Sequence, residues 1–374
     1  MKKISIYIHI PFCRHKCIYC DFYSIITDES INEYIAALCQ EIEYYSVQNN
    51  YEVETIYFGG GTPSLLSANQ IENILNHIRK NFYVQPNAET TIETNPGTVE
   101  LQKLIDFRQI EINRISIGVQ TFDENELKFL TRIHDKNSAV ETVLNAEKAG
   151  FANINLDLIF NLPGQTKNIW KQNLEKAIEL PITHISTYSL ILERGTILNK
   201  MVLDGKVVLQ DDDYDADLYE YTIDFLTKKG FIQYEVSNFC KSGFECLHNL
   251  NYWQHKNYLG FGTSSHSFLD NKRWWNYSSL KMYIENIKRK KTAVRSFEIL
   301  NINELEQEYI MLAMRSKGIN IKEFINKFGE DFFIRNKNHL DEIVSKGYLI
   351  QTDEFFRLTQ KGFLVCDEIL INLK

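Results

Sequence analysis

No window of the 374-residue sequence approaches eighteen consecutive apolar residues, so no segment reads as a membrane-spanning helix. Positive charge is not in excess either: 41 Lys and Arg stand against 49 Asp and Glu. The net charge of −8 gives no general pull toward nucleic acid or an anionic membrane surface. The one obvious basic cluster, Lys288-Arg289-Lys290-Lys291, reads as the solvated end of a helix. Internal repeats and low-complexity segments are missing. The apolar run after Met1-Lys2-Lys3 is short and carries Ser5 and His9, too polar for a signal peptide. Four of the seven cysteines (Cys39, Cys240, Cys246, Cys366) are scattered, which is the usage of a reducing compartment. A cytoplasmic protein is expected. With 44% apolar and 24% charged residues, the chain suits a large core and more than one domain.

A G-x-G-x-x-G fingerprint is also missing after the first expected strand, at 4–10. Cys13, Cys17 and Cys20 take its place, spaced C-x3-C-x2-C on one short loop. A disulfide would leave one of them unpaired, in a chain too large to need stapling. Zinc would want a second short-spaced pair, and only the looser Cys240, Cys246 and His248 are on offer. Iron–sulfur clusters normally take four thiolates. Three without a nearby fourth point to a four-iron cluster with one iron open to a ligand, while zinc and a redox sensor stay as alternatives.

Apolar spacing predicts a helix over 28–48, then strand 53–58, helix 68–80, strand 89–94, helix 99–107 and strand 114–119. Helical stretches at 124–130 and 138–149, strand 153–160, helix 168–178 and strand 184–190 continue the beat. Successive strand-then-helix units imply a parallel sheet with helices outside it. A doubly wound sheet and a barrel share that periodicity, but the unusual residues fall at strand C-termini, which favours a partial barrel. Beyond residue 195 the beat changes. A helix capped by Asp211-Asp212-Asp213 runs to 229 and a strand is expected over 231–236, whereas 239–277 is rich in Gly, His, Tyr and Trp without helical period. Helices at 304–314, 321–328 and 331–345, then strands near 347–350 and 355–359 and a last helix, have the rhythm of a winged-helix module. Glu354, Asp353 and Asp367 speak against a DNA face there. Three regions are expected: 1–195, 196–300 and 301–374.

Gly59-Gly60-Gly61-Thr62 ends the second strand, where the lack of Cβ atoms lets backbone approach a ligand; a tight turn is the plain alternative. Glu93, Gln120 and Asp157 are polar on three successive strands where a structural sheet would place Val or Ile, which favours a polar ligand. Arg132 can fork onto a carboxylate.

Together with Tyr-Ile-His-Ile-Pro-Phe at residues 7–12 and the aromatic Tyr19 before the last cysteine, these positions resemble the radical S-adenosylmethionine superfamily. The wording is similar to its oxygen-independent coproporphyrinogen III oxidase branch, over nearly the whole chain. The resemblance implies a partial (β/α)6 TIM-type barrel followed by a smaller α+β C-terminal region. It also implies a [4Fe-4S] cluster on Cys13, Cys17 and Cys20 and S-adenosylmethionine on its open iron. Gly60, Gly61 and Thr62 would line the methionine end of the cofactor, with Tyr7, Tyr19, Glu93, Gln120, Arg132 and Asp157 around it. Two departures separate the chain from the oxidase: Phe22 stands where the oxidase has a further cysteine, and the sequence begins almost on its first strand. Both, with His248-Asn249-Leu250-Asn251-Tyr252-Trp253, resemble the haem chaperones of the branch. That implies haem as a third ligand, with His248 as a candidate axial ligand. The partners implied are an acceptor protein of a respiratory chain and a second copy of the chain, with no nucleic acid. From the residues alone, His248 reads equally as a hydrogen-bonded corner, and a porphyrinogen oxidase stays open as the enzymatic alternative.

Overall fold

The computed structural model describes residues 1–27, 29–46 and 50–373. Six parallel strands form its centre: β1 (Lys2–Ile10), β2 (Tyr51–Gly60), β3 (Tyr83–Thr94), β4 (Arg114–Gln120), β5 (Asn153–Phe160) and β6 (His184–Ser189). Each is followed by a helix. The one expected over 28–48 is observed at Ile31–Ser46; its proposed first and last residues, Asp28 and Gln48, lie outside the described residues.

Alternation within the strands explains how they sit. Ile4, Ile6, Ile8 and Ile10 of β1, Ile115, Ile117 and Val119 of β4, and Leu156, Leu158 and Phe160 of β5 are buried in one core with the surrounding helices. The opposite face carries Ser5, Tyr7 and His9, then Thr55 and Tyr57, Glu89 and Glu93, Arg114 and Ser116, Asn155 and Asp157, and His184 and Ser186. In ordinary (β/α) barrels that inner face is packed with branched apolar side chains. Here it is largely polar, so the inside of the curl is mostly a hydrogen-bonded space, with the main apolar core outside it and only small apolar clusters around Ile159 and around Tyr234 and Leu250.

The strand expected over 231–236 shrinks to β7 (Ile232–Gln233), because the chain bends at once to form β8 (Asn238–Cys240), antiparallel to both β7 and β6. Residues 239–277 are more regular than their composition suggests. They hold a seven-residue helix, Leu247–Trp253, and three strands, β9 (Tyr258–Phe261), β10 (His266–Leu269) and β11 (Lys272–Asn276). The helix Ile197–Leu203 and β12 (Val294–Ile299) had no counterpart in the sequence reading, and of the helix Leu280–Lys290 only the basic end was read. The basic cluster at 288–291 is the C-terminal end of Leu280–Lys290, where Lys288 meets Glu33 and Lys291 donates to Gln40. β9 runs parallel to β1, and the whole is one twelve-stranded sheet in the order β12-β11-β10-β9-β1-β2-β3-β4-β5-β6-β8-β7. Its end strands do not pair with each other, so the barrel is open.

The C-terminal region packs the helices Ile302–Met314, Ile321–Phe328 and Asp331–Ser345 on a three-stranded antiparallel sheet in a separate core around Phe324, Phe332 and Phe356. No helix among the described residues is long and apolar enough to cross a membrane.

Candidate functional site

The site lies at the C-terminal ends of β1 to β5. Register places His9 beside Gly59 and Ile10 beside Gly60, so the glycine turn folds directly over the segment that enters the cysteine loop. Only glycine fits there. A Cβ on Gly60, whose φ is +111°, would stand 2.6 Å from Cε1 of His9, and one on Gly61 would stand 3.0 Å from Sγ of Cys13. The Gly60 N–H donates to Glu93 Oε2 at 3.1 Å, and Tyr57 Oη donates to Glu93 Oε1 at 2.9 Å. Tyr7 Oη and His9 Nδ1 are 3.1 Å apart, and the other ring nitrogen of His9 lies 2.9 Å from the Tyr23 carbonyl.

Cys13, Cys17 and Cys20 are free, half-buried thiols. Thr62 Oγ1 lies 3.4 Å from Cys13 Sγ and accepts from Asn95 Nδ2 at 2.9 Å. Arg132 closes the circuit: Nη1 donates to Cys17 Sγ at 3.5 Å, and Nη2 donates to Asn95 Oδ1 and the Gly118 carbonyl at 2.6 Å each. Its Nε is buried without a partner. Tyr19 is held next to the guanidinium, and burial pushes its phenol well above the usual range. Gln120 ends β4 in the left-handed region, φ +69°, with its amide nitrogen against Gly118. The sequence-predicted residues Tyr7, Tyr19, Gly60, Gly61, Thr62, Glu93, Gln120 and Arg132 therefore belong to one rim with the three cysteines. Asp157 sits deeper, accepting from Ser116 at 3.0 Å and Asn155 at 2.8 Å, and reaches the rim through its charge on Glu93.

Burial raises the Glu93 carboxyl to about 7, with the nearby Asp157 adding to the rise. Burial also lifts the Cys13 thiol, and lifts Cys20 to about 11. Iron would reverse this, since a coordinating thiol is deprotonated outright.

Do these residues fit an iron–sulfur cluster? Among the described residues no three His, Cys, Asp or Glu side chains converge on a point where one metal ion could sit, and Cys240, Cys246 and His248 do not form a zinc site. A four-iron cluster asks for something else: thiolates standing apart, one per iron. Three free thiols on one loop, a glycine turn so close that a Cβ on Gly61 would stand 3.0 Å from Cys13 Sγ, and a guanidinium 3.5 Å from a sulfur suit that demand.

Sequence reading missed Asn95, Tyr57 and His9. Asn95 was masked by its Asn-Pro-Gly setting, which reads as a turn, although it follows β3 directly. His248 lies elsewhere. Its helix, Leu247–Trp253, plugs the barrel from below, with the Leu247 and His248 N–H groups donating to Glu89 at 3.1 and 3.0 Å. The ring is 1% exposed; Nδ1 lies 2.8 Å from Thr55 Oγ1 and Nε2 3.0 Å from Tyr252 Oη. It stacks on Tyr57 at 4.9 Å between ring centres. Burial lowers its pKa to about 3, keeping it neutral. As folded here, neither nitrogen is open to an iron; the geometry is that of the hydrogen-bonded corner.

Residues 7–177 match the Radical SAM superfamily, and residues 303–365 match the HemN C-terminal domain. The chain is 37% identical to the haem chaperone HemW of Lactococcus lactis, over 97% of this chain and 95% of that one. It belongs to the HemW family of the radical SAM superfamily. HemW of Bacillus subtilis and of Escherichia coli are each 34% identical to it, over 98% and 99% of this chain and 97% and 98% of theirs. The family's fold extends to a solved relative, the coproporphyrinogen III oxidase HemN of Escherichia coli: TM-score 0.85, 24% identity, 99% of this chain and 89% of that one. At Phe22, where the sequence departs from the oxidase pattern, the HemW-family chain turns the ring outward, 61% exposed beside the cysteine loop.

Proposed function

We propose that the chain is a haem chaperone: it holds a [4Fe-4S] cluster and S-adenosylmethionine at the barrel rim, binds haem, and passes it to an acceptor protein. The observation that supports the rim assignment is the circuit Cys13–Thr62–Asn95–Arg132–Cys17, which joins two cluster thiols to the glycine turn. Cys13, Cys17 and Cys20 would each hold one iron. Such a cluster supplies, when bound, one open iron and one-electron chemistry. The chain's part is positional. Gly60 and Gly61 admit the methionine end of the cofactor at backbone distance, and Glu93, fixed by Gly60 and Tyr57, presents a carboxylate where a cationic ligand would hold it ionised. Arg132 balances the anionic sulfurs. The names of the full-length relatives support haem as cargo.

The enzymatic alternative is porphyrinogen oxidation, favoured only by the shared fold. Anaerobic reconstitution followed by parallel assays for haem binding and coproporphyrinogen decarboxylation separates the two. Haem binding without decarboxylation is expected; robust decarboxylation would overturn the chaperone reading.

A further inference from the structure

A large cavity lies away from the barrel mouth. A cleft of about 1390 Å³ runs between the barrel's β7 side, the end of the plug helix and the C-terminal region. Pockets for drug-sized ligands measure roughly 300–1,000 Å³, so this one takes something larger. Its charge is opposite to that of the whole chain. Lys256, Lys317, Lys327, Arg357 and Lys361 line it, against Glu245 and Glu323, in a protein of net charge −8. Arg357 and Lys361 are exposed along it, and Lys317 reaches Glu245 only at 4.0 Å. Aromatic surface accompanies the cations: Trp253 and Phe355, both half-buried, line the same cleft.

A broad cleft with aromatic walls and a cationic border is complementary to a flat, largely apolar molecule carrying two carboxylates. We propose that this cleft carries a tetrapyrrole dicarboxylate, the macrocycle against Trp253 and Phe355 and the carboxylates toward Arg357 and Lys361. The proposal rests on haem being the cargo, as argued above. Neither histidine nor cysteine is among the described residues lining the cleft, so an acceptor's own axial ligand meets no imidazole or thiolate to displace. Trp253 also ties cargo to cofactor, for it ends the helix whose His248 stacks on Tyr57, the partner of Glu93.

The test compares two ligands on two proteins: iron protoporphyrin IX and its dimethyl ester, titrated by absorbance into the full chain and into the double variant Arg357→Glu/Lys361→Glu. Both substitutions are at exposed positions, and circular dichroism and the reconstituted cluster spectrum check the fold. The expected result is about tenfold weaker binding of the diacid to the variant, with ester binding unchanged. Equal losses for both ligands, or no loss for either, overturn the proposal, since the carboxylates would then not be read at this cleft. So does a Glu-rich peptide whose binding, rather than that of the porphyrin, responds to the substitutions, which would make the cleft a peptide groove. If the unaltered chain binds no haem at all, it is the chaperone reading that falls.

Discussion

The barrel has a rim and a floor, and each carries a conspicuous motif. At the rim the three cysteines are free, the Arg132 Nε is unpartnered, and Gly60 and Gly61 let the turn pack against His9 and Cys13 where a Cβ would collide. At the floor His248 has both nitrogens engaged, its backbone N–H is held by Glu89, and Asn251 donates to Ser5 at 2.8 Å. The difference teaches that residue type alone does not make a ligand site. A histidine with both nitrogens engaged is structural as it stands, whereas the Cys17 thiol meets only the Arg132 guanidinium and keeps its capacity to bind.

The strongest way to break this comparison is at the rim. Cys17→Ala should abolish the cluster absorption after reconstitution, because two local thiolates are too few to retain it; a full cluster spectrum would show that the loop is not the ligand set. Next is Gly60→Ala, which places a Cβ 2.6 Å from His9 in a backbone conformation that L side chains rarely adopt. It should cost about 1–3 kcal/mol and remove S-adenosylmethionine binding measured by calorimetry. At the floor, His248→Ala strands Thr55 and Tyr252 and should lower stability by about 3 kcal/mol in urea unfolding, with haem affinity unchanged. Weakened haem binding at unchanged stability would instead make the floor a ligand site.

The smallest effect concerns pH. An unfolded chain releases the Glu93 proton near 4.5, whereas the folded one keeps it to about 7. Its contribution to stability is therefore complete below pH 4.5 and is lost as pH rises through 7. Glu41 and Glu235, also raised to about 7 by burial, add slopes of the same sign. Glu93→Gln should flatten the profile only in part, and an unchanged slope in unfolding scans from pH 5 to 8 would mean that Glu93 is ionised in the folded protein.

Six strands and the helices between them were legible because their outward residues repeat with the right period, as in Ile4, Ile6, Ile8 and Ile10. The inward residues were legible as oddities: Glu93, Gln120 and Asp157 interrupt that pattern. The floor was not. Seven residues are under two helical turns, and with His248, Asn249 and Asn251 among them the short helix has no apolar stripe to betray it. What makes it a helix is Glu89, a cap supplied by a strand over a hundred and fifty residues earlier, as its separation of 158 residues from Leu247 records. Asn95 was equally hidden, because its role depends on Thr62 and Arg132 arriving from other strands.

The pairing of β1 has a consequence for the chain during synthesis. Residues 5–8 are flanked on one side by β2 but on the other by β9, where Ser5 faces Tyr258 and Ile8 faces Phe261. At roughly 5–20 residues per second on a ribosome, the second flank follows the first only after some tens of seconds. Throughout that interval the nascent β1 offers an unpaired edge of the kind that recruits foreign strands, and the plug helix has not yet been made. The barrel is thus born open at both ends. The floor beneath the strands that carry the loop of Cys13, Cys17 and Cys20 is closed only when the helix Leu247–Trp253 emerges in the last third of the chain.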